Sequence, residues 1–380
     1  MKIAIEAQRI FRYDKHGMDY VALETIRSLQ QIDKVNEYYI IVKPGEDRCV
    51  KETNNFHIIE LSCPTYVLWE QVALPYCLNR IKPDLLHCTS NTAPLFSRFS
   101  LYLTLHDIIF LEKRKGSNHS LYQRLGRIYR SWIVPRIISK CTLIITVSEF
   151  ERENILHSLS LHPQSVKTIH NGLSAAFHPS KKNTDIVRKY IPEEPYLFFL
   201  GNTDPKKNTP NTLKAYGIYL HKSKRKLPLL IADLNETVID DILAKEGLSH
   251  IKSNFYFPGY IPNGDLPAVY TGAFAFLYPS LRESFGLPLL EAMASGIPVI
   301  SSNTSAIPEI AGEGALLVDP NNPESIAQMI VDLEDKSDLY DNQVAYGLDR
   351  SRNYSWEQTA RNLLTNYLTL NAENDVCRNN

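Results

Sequence analysis

The chain has 380 residues, 44% of them hydrophobic and 22% charged, with a formal net charge of −1. Domains run to roughly 100–200 residues, so two are expected, each able to bury its own core. The near-neutral balance excludes a dedicated nucleic-acid binder, which would be basic overall.

The chain opens MKIAIEAQR, where charge soon follows a short apolar run, and no run approaches the roughly 20 apolar residues that span a bilayer. Six cysteines are scattered without a C-x-x-C pair, so we expect reduced thiols in the cytoplasm rather than a metal or redox site. Short apolar runs then alternate with longer amphipathic stretches, the pattern of a parallel sheet covered by helices. Strands are expected at 2–7, 38–42, 57–61, 84–88, 101–105, 142–147 and 166–169, with helices at 18–31, 69–80, 121–139 and 149–158. Residues 173–195 hold three prolines and a polar run at 180–185, which reads as a linker. The alternation restarts with strands at 196–200, 229–232, 254–257, 273–278, 299–301 and 315–318. A last helix carries Trp356, Ala360, Leu363, Leu364, Tyr367 and Leu368 on one stripe, with Ser355 as its N-cap. The fold class expected is α/β, two doubly wound Rossmann-like domains facing across a cleft: 1–175 plus 355–372, and 190–354. In such sheets ligands bind at the carboxyl ends of the strands.

The segment 278–303 reads YPSLRESFGLPLLEAMASGIPVISSN. Ser284, Phe285, Gly286 and Leu287 form a tight turn into a helix, with Pro288 in its first turn. Backbone amides at such a start bind anions with help from the helix dipole, and a diphosphate would fit. Glu283 can accept hydrogen bonds from sugar hydroxyls, and Glu291, one or two turns into the helix, from a ribose diol. Lys207 follows a strand and a turn. Its ammonium would gain on a diphosphate as that group departs and its negative charge grows.

With its seven residues between Glu283 and Glu291, this segment resembles the E-x7-E signature of retaining GT-B glycosyltransferases of family 4, the glycosyl transferases group 1. The resemblance extends over nearly the whole chain. Gly17 with Tyr20 resembles the family's N-terminal glycine loop, although His16 and Asp19 stand where a second glycine and a basic residue are common. His106, beside Asp107, follows a strand where the family has an active-site histidine; Asp107 either orients the imidazole or caps the next turn. Asn171-Gly172 matches the turn before the linker. Gly201 to Asn208, with Asn202, Lys206 and Lys207, is similar to the phosphate loop. Gly259, Tyr260 and Ile261 could line the base pocket. Tyr354-Ser355-Trp356 resembles the start of a helix that crosses back to the first domain. The resemblance implies transfer of a hexose, read as mannose, from a GDP- or UDP-linked donor bound by 190–354 to a glycan or lipid-linked acceptor on the side of 1–175 plus 355–372. It also implies retention of anomeric configuration. His106, Glu283 and Lys207 would be catalytic, with no cofactor beyond the nucleotide sugar. No Asp-x-Asp triplet offers a divalent cation ligands, so no metal is expected, and no G-x-G-x-x-G or Walker loop is present. An epimerase of the same architecture and an inactive sugar- or nucleotide-binding scaffold are the competing readings.

Residues 112–140 carry eight basic residues and one acidic, Glu112. Leu121, Leu125, Ile128 and Trp132 form a stripe there. The segment either touches an anionic membrane, which would make the protein peripheral on the inner face of the cell membrane, or turns the stripe to the core and solvates its basic face.

Overall fold

The computed structural model describes residues 1–13, 15, 17–112, 121–180, 182–192 and 194–379, with the backbone alone at 121–124 and 371–379. His16, Lys113, Arg114 and Lys115 lie outside the described residues. The chain divides into two compact units, Met1–Gly172 with Ser355–Asn380, and Leu173–Tyr354.

The first unit is built on seven strands: β1 (Lys2–Glu6), β2 (Glu37–Val42), β3 (Phe56–Glu60), β4 (Leu85–Cys88), β5 (Ser100–Thr104), β6 (Leu143–Thr146) and β7 (Val166–Thr168). All pair in parallel in the order β3-β2-β1-β4-β5-β6-β7, so the order reverses between β1 and β4. Strands buried on both faces read as continuous apolar runs, and LLHC and LIIT are buried throughout. One sheet face packs against Gly17–Ile32 and the C-terminal helix Trp356–Asn379 through Ala22, Ile26, Leu29, Ala360, Leu363 and Tyr367. Burial of each large apolar side chain there contributes about 1.5–3 kcal/mol. Ser355 caps the last helix by accepting from the Gln358 amide at 3.1 Å. Leu370 completes the buried stripe, whereas Leu368, expected on it, is 48% exposed.

The opposite sheet face is covered by Leu74–Ile81 and Leu121–Ile138, which share a core of Leu74, Leu78, Ile133, Val134 and Ile137. The single expected helix at 69–80 is instead a short turn at Tyr66–Leu68, a π-helical turn at Trp69–Ala73 and an α-helix at Leu74–Ile81. The stripe in the basic segment does not face the core. Leu125, Ile128 and Trp132 are exposed, and the core is met by Ile133, Val134 and Ile137 on another face.

The second unit holds β8 (Leu197–Leu200), β9 (Leu229–Ala232), β10 (Phe255–Gly259), β11 (Ala275–Tyr278), β12 (Val299–Ser302) and β13 (Leu316–Val318). They run parallel in the order β10-β9-β8-β11-β12-β13, reversing between β8 and β11. The stretch expected as a linker is part of this body, for Val187 and Ile191 are buried and the Tyr190 hydroxyl donates to Asp265 at 2.6 Å. The chain passes between units after Gly172 and again after Tyr354.

Candidate functional site

Ligands of doubly wound sheets bind where the strand order reverses, because there the loops from adjacent strands diverge. In the second unit that place lies between β8 and β11. The loop after β8 leads through Gly201 to a 3-10 turn, Pro205–Lys207. A Cβ on Gly201 would sit 2.4 Å from Leu234 Cδ1, so any side chain there would have to displace Leu234. Asn202 is exposed, and its side chain accepts from the Asp204 amide at 2.8 Å. Asp204 in turn accepts from the Lys206 amide and lies 3.9 Å from Lys206 Nζ. Asn208, in the left-handed region at φ 60°, donates to the carbonyls of Pro279 and Pro320 at 2.9 and 2.7 Å. Those bonds fasten the β8 loop to the loops after β11 and β13.

This scaffold brings Lys207 Nζ to 2.6 Å from Glu283 Oε1 and 3.2 Å from the Tyr278 hydroxyl, above whose ring centroid it lies at 5.0 Å. Burial alone would push the ammonium down, yet the adjacent Glu283 carboxylate holds Lys207 above its ordinary value. Burial likewise works to raise Glu283, and Lys207 overrides it and lowers that carboxyl. Both groups are therefore charged at neutral pH, in a pair removed from most solvent. The Glu283 amide donates to the Ser305 hydroxyl at 3.0 Å, fixing the loop that carries it.

Past Ser284 and the buried Phe285, Gly286 stands at φ +100°, where a Cβ would also meet Ile307 Cδ1 at 3.1 Å. That residue begins the helix Leu287–Ala294 and has no side chain to cap it, and Pro288 follows in the first turn without an amide. The helix start thus points its dipole out of the same loop that carries Glu283. Glu291, one turn further, receives one bond from the Tyr270 hydroxyl at 3.3 Å, and burial pushes its carboxyl up to about 7. Tyr260 is 65% exposed just beyond β10. Tyr278, at the end of β11, and Tyr270, in the helix Leu266–Gly272, join the site through tertiary pairing that the sequence does not display.

In the first unit, Gly17 opens its helix with nothing within 4 Å of an added Cβ, so space rather than strain marks the position. Asp19 is buried and paired with Arg9 at 2.9 Å. His106 is 5% exposed. Its amide donates to Asn91 Oδ1 at 2.7 Å, and its Nε2 lies 3.0 Å from the Thr89 carbonyl, which makes Nε2 the protonated nitrogen. Burial lowers its pKa, so the ring is neutral and Nδ1 is its acceptor. The Nε2 bond is one that a structural histidine makes. Asp107 caps the next turn, accepting from the Ile109 amide at 3.0 Å. Among the described residues no group of three or more His, Cys, Asp or Glu side chains could hold a metal ion, and Cys49, Cys63, Cys77, Cys88 and Cys141 are free. No helix among them is long and apolar enough to cross a membrane.

The profile of the glycosyl transferases group 1 matches residues 181–350, and that of glycosyltransferase family 4 matches residues 17–177. O-antigen chain mannosyltransferase B of Escherichia coli is 29% identical over 238 residues, 61% of this chain and 62% of that protein, so the chain spans about three fifths of this curated relative. Sucrose-phosphate synthase from Thermosynechococcus elongatus superposes with a TM-score of 0.74 at 18% identity, over 98% of this chain and 99% of that one. HepE of Anabaena, solved with UDP-glucose, gives 0.72 at 14% identity over 97% and 100%. The chain belongs to glycosyltransferase family 4, the glycosyl transferases group 1 family, and its two parallel-sheet units have the GT-B fold.

Proposed function

We propose that the protein transfers a hexose, mannose in our reading, from a GDP- or UDP-linked donor to a glycan or lipid-linked acceptor, with retention of anomeric configuration. The observation that carries this reading is the 2.6 Å contact of Lys207 with Glu283 at the strand-order reversal, in the loop that also starts the helix at Gly286. A nucleotide sugar has one bond at which an anionic diphosphate meets a neutral polyol. A cation and a carboxylate side by side match its two halves.

In this reading Glu283 accepts from hydroxyls of the transferred sugar. Lys207 moves its charge onto the diphosphate, with Lys206 nearby and the helix start at Gly286 and Leu287 assisting. Glu291 takes the ribose diol, and the backbone at Gly201, Asn202 and Tyr260 borders the nucleotide. Cleavage of the anomeric C–O bond leaves charge on the diphosphate, where the ammonium and the helix dipole act most strongly. No carboxylate of the motif is assigned as a covalent nucleophile. The acceptor attacks the face that the diphosphate leaves, and the departing phosphate oxygen takes the acceptor proton. In the first unit Gly17 leaves room for a phosphate, and His106, with Nε2 committed to Thr89, contributes Nδ1 as a hydroxyl acceptor. In this reading the reaction runs in the cytoplasm. Two mannosyltransferases of O-antigen chains among the relatives support mannose and a surface-polysaccharide acceptor.

A thermal-shift panel of nucleotide sugars, followed by NMR of the product, tests the reading. A GDP- or UDP-sugar should raise the unfolding midpoint by several degrees, and the product should keep the donor's anomeric configuration. No stabilisation by any nucleotide sugar, or an inverted product, would refute it. Donor turned into an epimer without acceptor would favour the epimerase.

A further inference from the structure

We infer that the first unit carries a docking face for an anionic lipid bilayer, built from two neighbouring helical segments and not from the basic segment alone. This goes beyond the sugar-transfer reading and does not depend on the donor site.

Most of the large hydrophobic side chains exposed among the described residues fall between positions 67 and 132. Leu68, Val72 and Tyr76 follow one another about a turn apart along Tyr66–Ile81 and form one stripe, 45%, 58% and 66% exposed. Leu125, Ile128 and Trp132 form a second on Leu121–Ile138. Both segments bury their opposite faces in one core beneath a single face of the sheet, so both stripes point away from that same face. They are fastened side by side. Glu70, in the π-helical turn, accepts from the hydroxyls of Tyr66 and Tyr129, and Gln71 donates to the Tyr129 hydroxyl at 2.8 Å. Gln71 also accepts from the Leu95 amide at 2.8 Å, and Lys140 donates to the Leu95 carbonyl at 2.6 Å, which joins the loop bearing Phe96 to both.

Charge decides what such a face meets. Segments 66–82, 94–100 and 121–140 contain eight Lys or Arg and one acidic residue, the buried Glu70. Three exposed aromatics each carry a cation over the ring: Arg80 on Tyr76 at 5.7 Å, Arg136 on Trp132 at 4.6 Å and Lys140 on Phe96 at 5.0 Å. With the one acidic residue buried, the charge of these segments is of a single sign, which matches an extended anionic surface. Rings reaching the acyl boundary with cations beside them at headgroup depth are the chemistry of an anionic bilayer surface.

Flotation of the full chain with phosphatidylglycerol/phosphatidylcholine vesicles and with phosphatidylcholine vesicles alone tests this, at low and high salt. Partitioning should be at least tenfold stronger on the anionic vesicles and should fall with salt. Ile128→Ser/Trp132→Ser and, separately, Val72→Ser/Tyr76→Ser should each weaken it at least tenfold with an unchanged unfolding midpoint, since all four side chains are exposed. Arg136→Gln should weaken it about fivefold. Equal binding to neutral vesicles, no binding, or wild-type binding by Val72→Ser/Tyr76→Ser would overturn the two-segment face. So would a concentration-dependent dimer that either pair abolishes, which would make a second copy the occupant.

Discussion

The two sheets reverse strand order in the same way, between β1 and β4 in one and between β8 and β11 in the other, yet the carboxylates at these places are treated differently. In the first unit Glu6 ends β1 and accepts from the amides of Gln8 and Thr89 at 3.0 and 3.3 Å, and burial pushes it up to about 7. Nearby in charge, Glu70 takes donors from Tyr66, Thr92, Tyr129 and Gln71 and is 1% exposed. In the second unit Glu283 is bonded mainly to a lysine, and Glu291 to one tyrosine at 3.3 Å. A carboxylate whose lone pairs are filled by its own fold is a fastener. One left with a movable cation, or with a single long bond, keeps capacity for a ligand.

Substitution should separate the two kinds. The largest effect is expected at Glu70→Ala, which strands four donors around a buried carboxylate and leaves a void; urea denaturation should show a loss of about 3–4 kcal/mol with unchanged nucleotide affinity. Next, Lys207→Met leaves Glu283 charged and alone. A loss of about 3 kcal/mol is expected, together with turnover at least a hundredfold lower, and most of the stability should return in Lys207→Met/Glu283→Gln while turnover stays low. If the double variant were no more stable than the single one, the pair would not be the buried ion pair described. The smallest effect concerns Glu291. A carboxyl raised from its ordinary 4.5 to about 7 gives stability that is full below pH 4.5 and is lost as pH rises through 7. Glu291→Gln should therefore stabilise the ligand-free protein by about 1 kcal/mol at pH 8 and not at pH 4.5. Donor affinity should rise about fivefold from pH 6 to pH 8 in the wild type and stay flat in the variant, as titration calorimetry would read.

The strands were legible because parallel strands covered on both faces must be apolar throughout, as at β4, β9 and β11. Glu283, Glu291 and Lys207 stood out because a glycine turn into a helix and a lysine after a strand are local patterns. That Lys207 and Glu283 touch was not legible, because it depends on β8 pairing with β11 across intervening chain, and the same pairing brings Tyr278 to the site. Periodicity located the stripe of Leu125, Ile128 and Trp132 but could not say which way it faced. The adjacent stripe Ile133, Val134 and Ile137 is equally apolar and took the core. Nor could periodicity show the π-helical turn that seats Glu70, since the residues of 66–81 suit a plain helix equally well.

Sugar transfer at this site rests on the ammonium of Lys207 holding a diphosphate. Calorimetric titration of the wild type and of Lys207→Met/Glu283→Gln with a nucleoside diphosphate and the matching monophosphate tests it directly, because neither ligand carries the sugar that Glu283 would bind. At least a tenfold loss is expected for the diphosphate in the double variant, with little change for the monophosphate. Equal diphosphate affinity in the two proteins would contradict it.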